Sequence, residues 1–315
     1  MGPPQFPRLV IVVGLIAFLA IAPFLLQRYL VHIIIICFIW AVVAMCWNLL
    51  LGFSGIAAFG NLLFFGVSAY ATAYWSLKWG LSPWIALIVG GLLGILAGLI
   101  IGSPTMRLRG IYVALFTFAS EELVRNVVIQ TELAPWTGGA IGLSNIPTFT
   151  IAGEPSITLS YFMGLTIFLM TATVIYRLVT SRFGLAIVSI RESENFAAAL
   201  GVNIYRHKML VFIVAACFTG VAGSFYSSYL TGVSDETLSF LVLVNIIFMI
   251  VMGGLGSFHG PIIGAFLFVF LNEYLRGLLQ YRLIIIGALI PLILVFFPRG
   301  IAGLIDRMLG IKRRV

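Results

Sequence analysis

Apolar runs of bilayer length, separated by short polar stretches, dominate this chain. A bilayer core takes about 20 apolar residues per helix. By that measure the sequence predicts ten segments: 9–27, 30–51, 56–77, 84–102, 111–129, 157–176, 209–231, 238–254, 260–273 and 281–297. Glu121, Glu122 and Arg125 interrupt the fifth, and the ninth is short. Both are candidates for broken or re-entrant segments, which a membrane accepts where protein or a cavity surrounds the backbone. The first run exceeds the ~7–15 apolar residues of a signal-peptide core and is expected to remain as a span. The fold class read from this pattern is all-α. It is a polytopic membrane protein with about ten transmembrane or re-entrant helices, forming a single domain over 1–315.

Composition agrees. Hydrophobic residues make up 62% and charged residues 9%, where soluble chains carry roughly 25% charged residues. That excludes an ordinary cytosolic enzyme, a disulfide scaffold and a disordered tail. The net charge of +8 reads as topology rather than nucleic-acid binding, because Lys and Arg concentrate in cytoplasmic loops. With the N-terminus inside, 13 of the 18 cations fall on inside segments. These include Arg107 and Arg109, the long loop 177–208, and a basic cytoplasmic tail at 299–315. The outside keeps Arg28, Lys78, Arg125, Arg276 and Arg282. The asymmetry supports an N-in, C-in arrangement and an even number of spans. Cys37, Cys46 and Cys217 lie in apolar runs without a C-x-x-C pair, so they read as packing residues.

Catalytic and cofactor signatures do not appear. No lysine follows a glycine, so there is no phosphate-binding P-loop. There is no H-E-x-x-H, no G-x-S-x-G and no metal-ligand cluster, and His32, His207 and His259 lie on separate segments. No enzyme activity, ATPase site, metal or cofactor is therefore expected. An ion-coupled carrier would place paired carboxylates mid-membrane, and only Glu121, Glu122 and Arg125 are so placed. Glu121 and Arg125 stand four apart on one helix face and can pair. Glu121 admits two further readings, as a pathway residue meeting a substrate ammonium and as a proton relay.

Two kinds of segment carry the functional argument. In the inside loop, Ser193 is placed to cap a short helix over Glu194, Phe196, Ala197, Ala198, Ala199 and Leu200, which Gly201 then ends. Phe196, Ala199 and Leu200 give this helix an apolar face; Arg191, Glu192 and Glu194 give it a charged flank. It fits either a partner-docking element or a surface helix packed on headgroups. The second kind is glycine-rich. Residues 52–71 and 253–270 resemble each other, with Gly52, Gly55, Gly60 and Gly66 loosely matching Gly253, Gly256, Gly260 and Gly264. This hints at internal duplication, and transporters often build their pathways at repeat interfaces. Small residues also simply let helices approach closely.

Five motifs in order resemble the permease subunits of bacterial and archaeal ABC importers for branched-chain amino acids. They are GFSGIAAFGNLLFFGVSAY, RLRGIYVALFTFASEELVRNVV, TGGAIGLSNIP, FGLAIVSIRESENFAAALGVNIYRHKMLVF and MGGLGSFHGPIIGA. The resemblance covers about residues 35–300. It implies a multi-pass protein of the cytoplasmic (inner) membrane with four kinds of partner: two ABC ATPase subunits, a second homologous permease, an extracytoplasmic substrate-binding protein and the lipid bilayer. Nucleic acid is not among them. It also implies that Arg191, Glu192, Glu194, Ala197, Ala198, Ala199, Leu200 and Gly201 form an ATPase-coupling helix. Gly52, Gly55, Glu121, Gly253, Gly254 and Gly256 are the candidates for shaping the pathway. Two positions depart from the family pattern: Leu185, where an Arg is usual, and SDET at 234–237, where a Pro-containing turn is common. Urea, short amides or aromatic acids are alternative substrates, and an ion-coupled carrier is the alternative from another class.

Overall fold

The computed structural model describes residues 19–151, 154–278, 281–282, 284–285, 287–288 and 300–303. Most of the first and tenth predicted spans, and of the 299–315 tail, lie outside the described residues. The long helices are α1 (Arg28–Asn48), α2 (Asn61–Trp79), α3 (Pro83–Thr105), α4 (Ile111–Ile129) and α5 (Ile157–Thr180). They are followed by α6 (Arg182–Glu192), α7 (Glu194–Ala199), α8 (Ile204–Leu230), α9 (Phe240–Gly253) and α10 (Gly260–Tyr274). Strand structure among the described residues is limited to two-residue pairings. One joins β1 (Leu143–Ser144) to β4 (Gly232–Val233) and the other joins β2 (Thr150–Ile151) to β3 (Glu154–Pro155). The all-α expectation holds.

Among the described residues, five helical stretches are long and apolar enough to cross a membrane: Arg28–Phe53, Pro83–Thr105, Ile157–Thr180, Ile204–Leu230 and Gly260–Leu278. Two expectations change. The ninth segment, expected to be short, reaches Leu278 through a closing 3-10 turn, whereas the eighth is the short one, with 14 residues in Phe240–Gly253. The fifth is not broken, since α4 runs as one α-helix through Glu121, Glu122 and Arg125.

Helix α1 is apolar on every side, a pattern that buries a helix rather than floating it. It packs against α5, α8, α9 and α10, and Ile35, Cys37, Ala41, Val43, Ala44 and Cys46 are sealed from solvent. Helices α3 and α8 pack closely along a stripe of Gly90, Gly94, Gly98 and Gly102, four residues apart. A Cβ at Gly94 would stand 2.3 Å from the Ala216 carbonyl oxygen. Lipid offers no hydrophobic drive between helices, so such close backbone contact supplies the attraction. Several buried hydroxyls find partners within the bundle. Thr72 Oγ1 donates to Ser68 O at 2.7 Å and Ser68 Oγ donates to Gly90 O at 2.9 Å.

Long-range contacts sort the chain into two ends. At one end, β1 pairs with β4, Lys78 lies 5.3 Å over the Trp136 ring, and His32 Nδ1 hydrogen-bonds Tyr229 Oη at 2.6 Å. Tyr29 donates to Glu273 at the same end. At the opposite end lie the close of α1, the start of α2, helices α6 and α7, and the turn between α9 and α10.

Candidate functional site

The last turn of α1 widens into a π-helical turn, Leu49–Phe53, with Ser54 N donating to Leu49 O at 3.2 Å. π-turns concentrate where geometry serves function. The final carbonyls of a helix have no donor of their own. One of them, Gly52 O, accepts from Arg191 Nη1 at 2.7 Å. The guanidinium of α6 thus caps the C-terminal, partially negative end of the central helix. Its other edge pairs with Glu192 at 2.6 Å, and the Arg191 side chain is 32% exposed.

Asn48, buried at 2% exposure, ties the second glycine-rich turn to the first. Its Oδ1 accepts from Gly256 N and its Nδ2 donates to Ser257 O, each at 2.9 Å. The two backbones are therefore nearly in contact: a Cβ on Gly52 would stand 2.3 Å from Asn48 Oδ1 and 2.6 Å from Gly256 N. Gly55, at φ +68°, lies under Arg191, and a Cβ there would come 2.8 Å from Arg191 Cγ. Only glycine meets both requirements. Gly253 closes α9 against the first residue of α10, and Gly254 follows at φ 116°. Four sequence candidates (Gly52, Gly55, Gly256 and Arg191) thus meet at one point.

The neighbouring helix forms as its sequence requires. Ser193 Oγ accepts from Phe196 N at 3.3 Å, α7 runs over Glu194–Ala199, Leu200 follows, and Gly201 turns the chain at φ +81°. Glu194 pairs with Lys208 on α8, and His207 stacks on Phe183. Ala197 is fully buried and anchors α7. Phe196 and Leu200 are 63% and 66% exposed, and Ala198 and Ala199 are exposed with them. Leu185, the departure in this loop, is also exposed. Helix α5 continues to Thr180 and α8 begins at Ile204.

Glu121 lies apart from this cluster, near the start of α2. It is 1% exposed, the backbone N–H of Leu62 faces it, and its Oε2 has no hydrogen-bond partner. One turn earlier, Thr117 Oγ1 accepts from Phe59 N at 2.9 Å. The i,i+4 pairing with Arg125 does not form. Arg125 instead meets Glu122 at 3.9 Å and Asp235, within the unusual SDET turn, at 3.5 Å. Among the described residues, no cluster of three or more His, Cys, Asp or Glu is placed to hold a metal.

Sequence reasoning missed Asn48 and Asp235. A single amide in an otherwise apolar run, four residues before the glycine of the first glycine-rich segment, was the available signal for Asn48. Nothing local marked Asp235 as the partner of Arg125.

Comparison with known proteins identifies relatives of this chain. The chain is 29% identical to the high-affinity branched-chain amino acid transport system permease protein LivM of Escherichia coli K12, over 95% of this chain and 76% of that protein. It is 30% identical to LivH, a permease protein of the same-named system in that organism, over 39% of this chain and 40% of the other. It is 24% identical to the nucleoside ABC transporter permease protein NupC of Lactococcus lactis, over 48% and 50%. No solved structure matches it. The family described as "Branched-chain amino acid transport system / permease component" matches residues 29–295, and this multi-pass chain belongs to it.

Proposed function

We propose that this chain is a translocating subunit of an ABC importer that carries branched-chain or other hydrophobic amino acids inward, driven by ATP hydrolysis on separate subunits. The observation that supports this best is α7, a capped six-residue helix. It carries no chemistry, yet it exposes Phe196 and Leu200 at the end of the bundle opposite residues 130–156. Apolar side chains presented by a rigid helix suit a groove in a partner. In this reading the groove belongs to an ATPase subunit, and Arg191, Glu192, Glu194, Ala197, Ala198, Ala199, Leu200 and Gly201 make up the coupling segment.

The proposed topology has about ten spans with both termini in the cytoplasm of a bacterial or archaeal cell. Residues 130–156 and 231–238 face outward, where a binding protein delivers solute. A second permease subunit completes the pathway, as the similarity to both LivM and LivH suggests. Gly52, Gly55, Glu121, Gly253, Gly254 and Gly256 shape that pathway from this chain's side. Nucleosides are a second cargo reading, favoured by the similarity to NupC.

The test is solute uptake by proteoliposomes containing both permeases, the ATPases and the binding protein. Uptake of leucine, isoleucine or valine that requires ATP is the expected result. Uptake by this chain alone under a proton gradient would refute the proposal.

A further inference from the structure

We infer that Arg191 is the link through which movement of the coupling segment reaches the membrane core, rather than a contact for the ATPase itself. The inference rests on the proposed ABC function and deepens it. The Arg191 side chain turns away from the exposed face of α7. It donates to Gly52 O at 2.7 Å, its Cγ lies over Gly55, and its Nη1 lies close to Gly256. Gly52 closes the central helix α1; Gly256 lies within the turn between α9 and α10. Asn48 joins that turn to α1 through two hydrogen bonds. A push on α6 and α7 therefore meets the end of α1, the Gly55 turn and the α9–α10 turn along one arginine side chain.

The geometry favours a transmitting link over a simple cap. A cap needs only one donor for the orphan carbonyl. Here the donor is a planar fork whose second edge pairs with Glu192 on the same helix, so both edges of the group are engaged at once. The glycines beneath it also leave no side chain to cushion the contact: Gly55 admits no Cβ without colliding with the arginine stem. The contact is backbone against a braced side chain, which passes displacement rather than absorbing it.

The experiment compares wild type, Arg191→Ala and Arg191→Lys in the assembled complex by hydrogen–deuterium exchange, with and without nucleotide trapped by vanadate, and by uptake and ATP hydrolysis. In wild type, trapping changes exchange at residues 181–203 and at both turns, 52–60 and 254–260. With Arg191→Ala, the change stays confined to 181–203, and solute moved per ATP falls by about tenfold, a typical coupling loss. Arg191→Lys keeps one donor for Gly52 O but loses the fork, and is expected to fall between the two. If both turns respond in Arg191→Ala as in wild type, the inference is wrong. It is equally wrong if uptake and hydrolysis drop together in proportion to the amount of complex assembled, because that marks a structural cap. A wild-type chain that does not associate with ATPase subunits instead overturns the proposed function, an outcome visible before any variant is compared.

Discussion

Replacing Asn48 by alanine tests the packing at the junction most simply. The substitution removes both hydrogen bonds to the 254–259 turn and leaves Gly256 N–H and Ser257 C=O without partners. Each stranded group costs about 1–3 kcal/mol. Gly256 is only half-buried and admits water, so the lower half of that range applies and the sum is about 3 kcal/mol. For a chain of 315 residues the shift is about 1.5 °C per kcal/mol, so the unfolding midpoint should drop by about 4–5 °C. The assay uses reporters already present. Cys37 and Cys46 are sealed within α1, so a thiol-reactive fluorophore reads the opening of that helix on heating. Asn126→Ala is the control, because Asn126 is exposed and donates only to Glu122 O one turn back. It should shift the midpoint by no more than about 1 °C. Equal melting of the Asn48→Ala variant and wild type would refute the reasoning, as would an equally large drop in the control.

Three further outcomes follow from the same geometry. Gly201→Val places a branched side chain at φ +81° in open space, so the cost is backbone strain of about 1–3 kcal/mol; membrane insertion should be intact and ATP hydrolysis uncoupled from uptake, measured in proteoliposomes. Phe196→Asp alters a side chain that is 63% exposed, so melting should change little, while ATPase association measured by co-purification or titration weakens about 30-fold, as for an interface hot spot. Glu121→Gln keeps an acceptor for Leu62 N–H; uptake should fall with assembly preserved, and loss of assembly would instead make Glu121 a cap for α2.

The sequence exposed those features whose cause is local. Ser193 and Gly201 bound α7 because a hydroxyl cap and a left-handed glycine act within a single turn. The apolar runs gave most helices, because backbone groups in lipid must bond within their own segment. What stayed hidden was decided between segments. Charge within α4 suggested a break, yet the helix continues: Leu62 N–H, from another helix, faces Glu121, and Asp235, more than a hundred residues away, takes Arg125. The likeness of the two glycine-rich segments was legible, with Gly52 matching Gly253 and Gly55 matching Gly256, but the approach of Gly52 to Gly256 was not, and the lone amide of Asn48, which joins them, was its one local signal. Arg191 was legible as part of the charged flank; the inward turn of its side chain was not.

The most direct measurement of the central claim is the sidedness and protection of α7. A cysteine placed at Phe196, in a chain whose native cysteines are replaced, should react with a membrane-impermeant maleimide in inside-out vesicles and lose that reactivity when ATPase subunits are bound. Labelling in right-side-out vesicles, or labelling unaffected by the ATPases, would contradict the account of a passive membrane subunit driven from the cytosol.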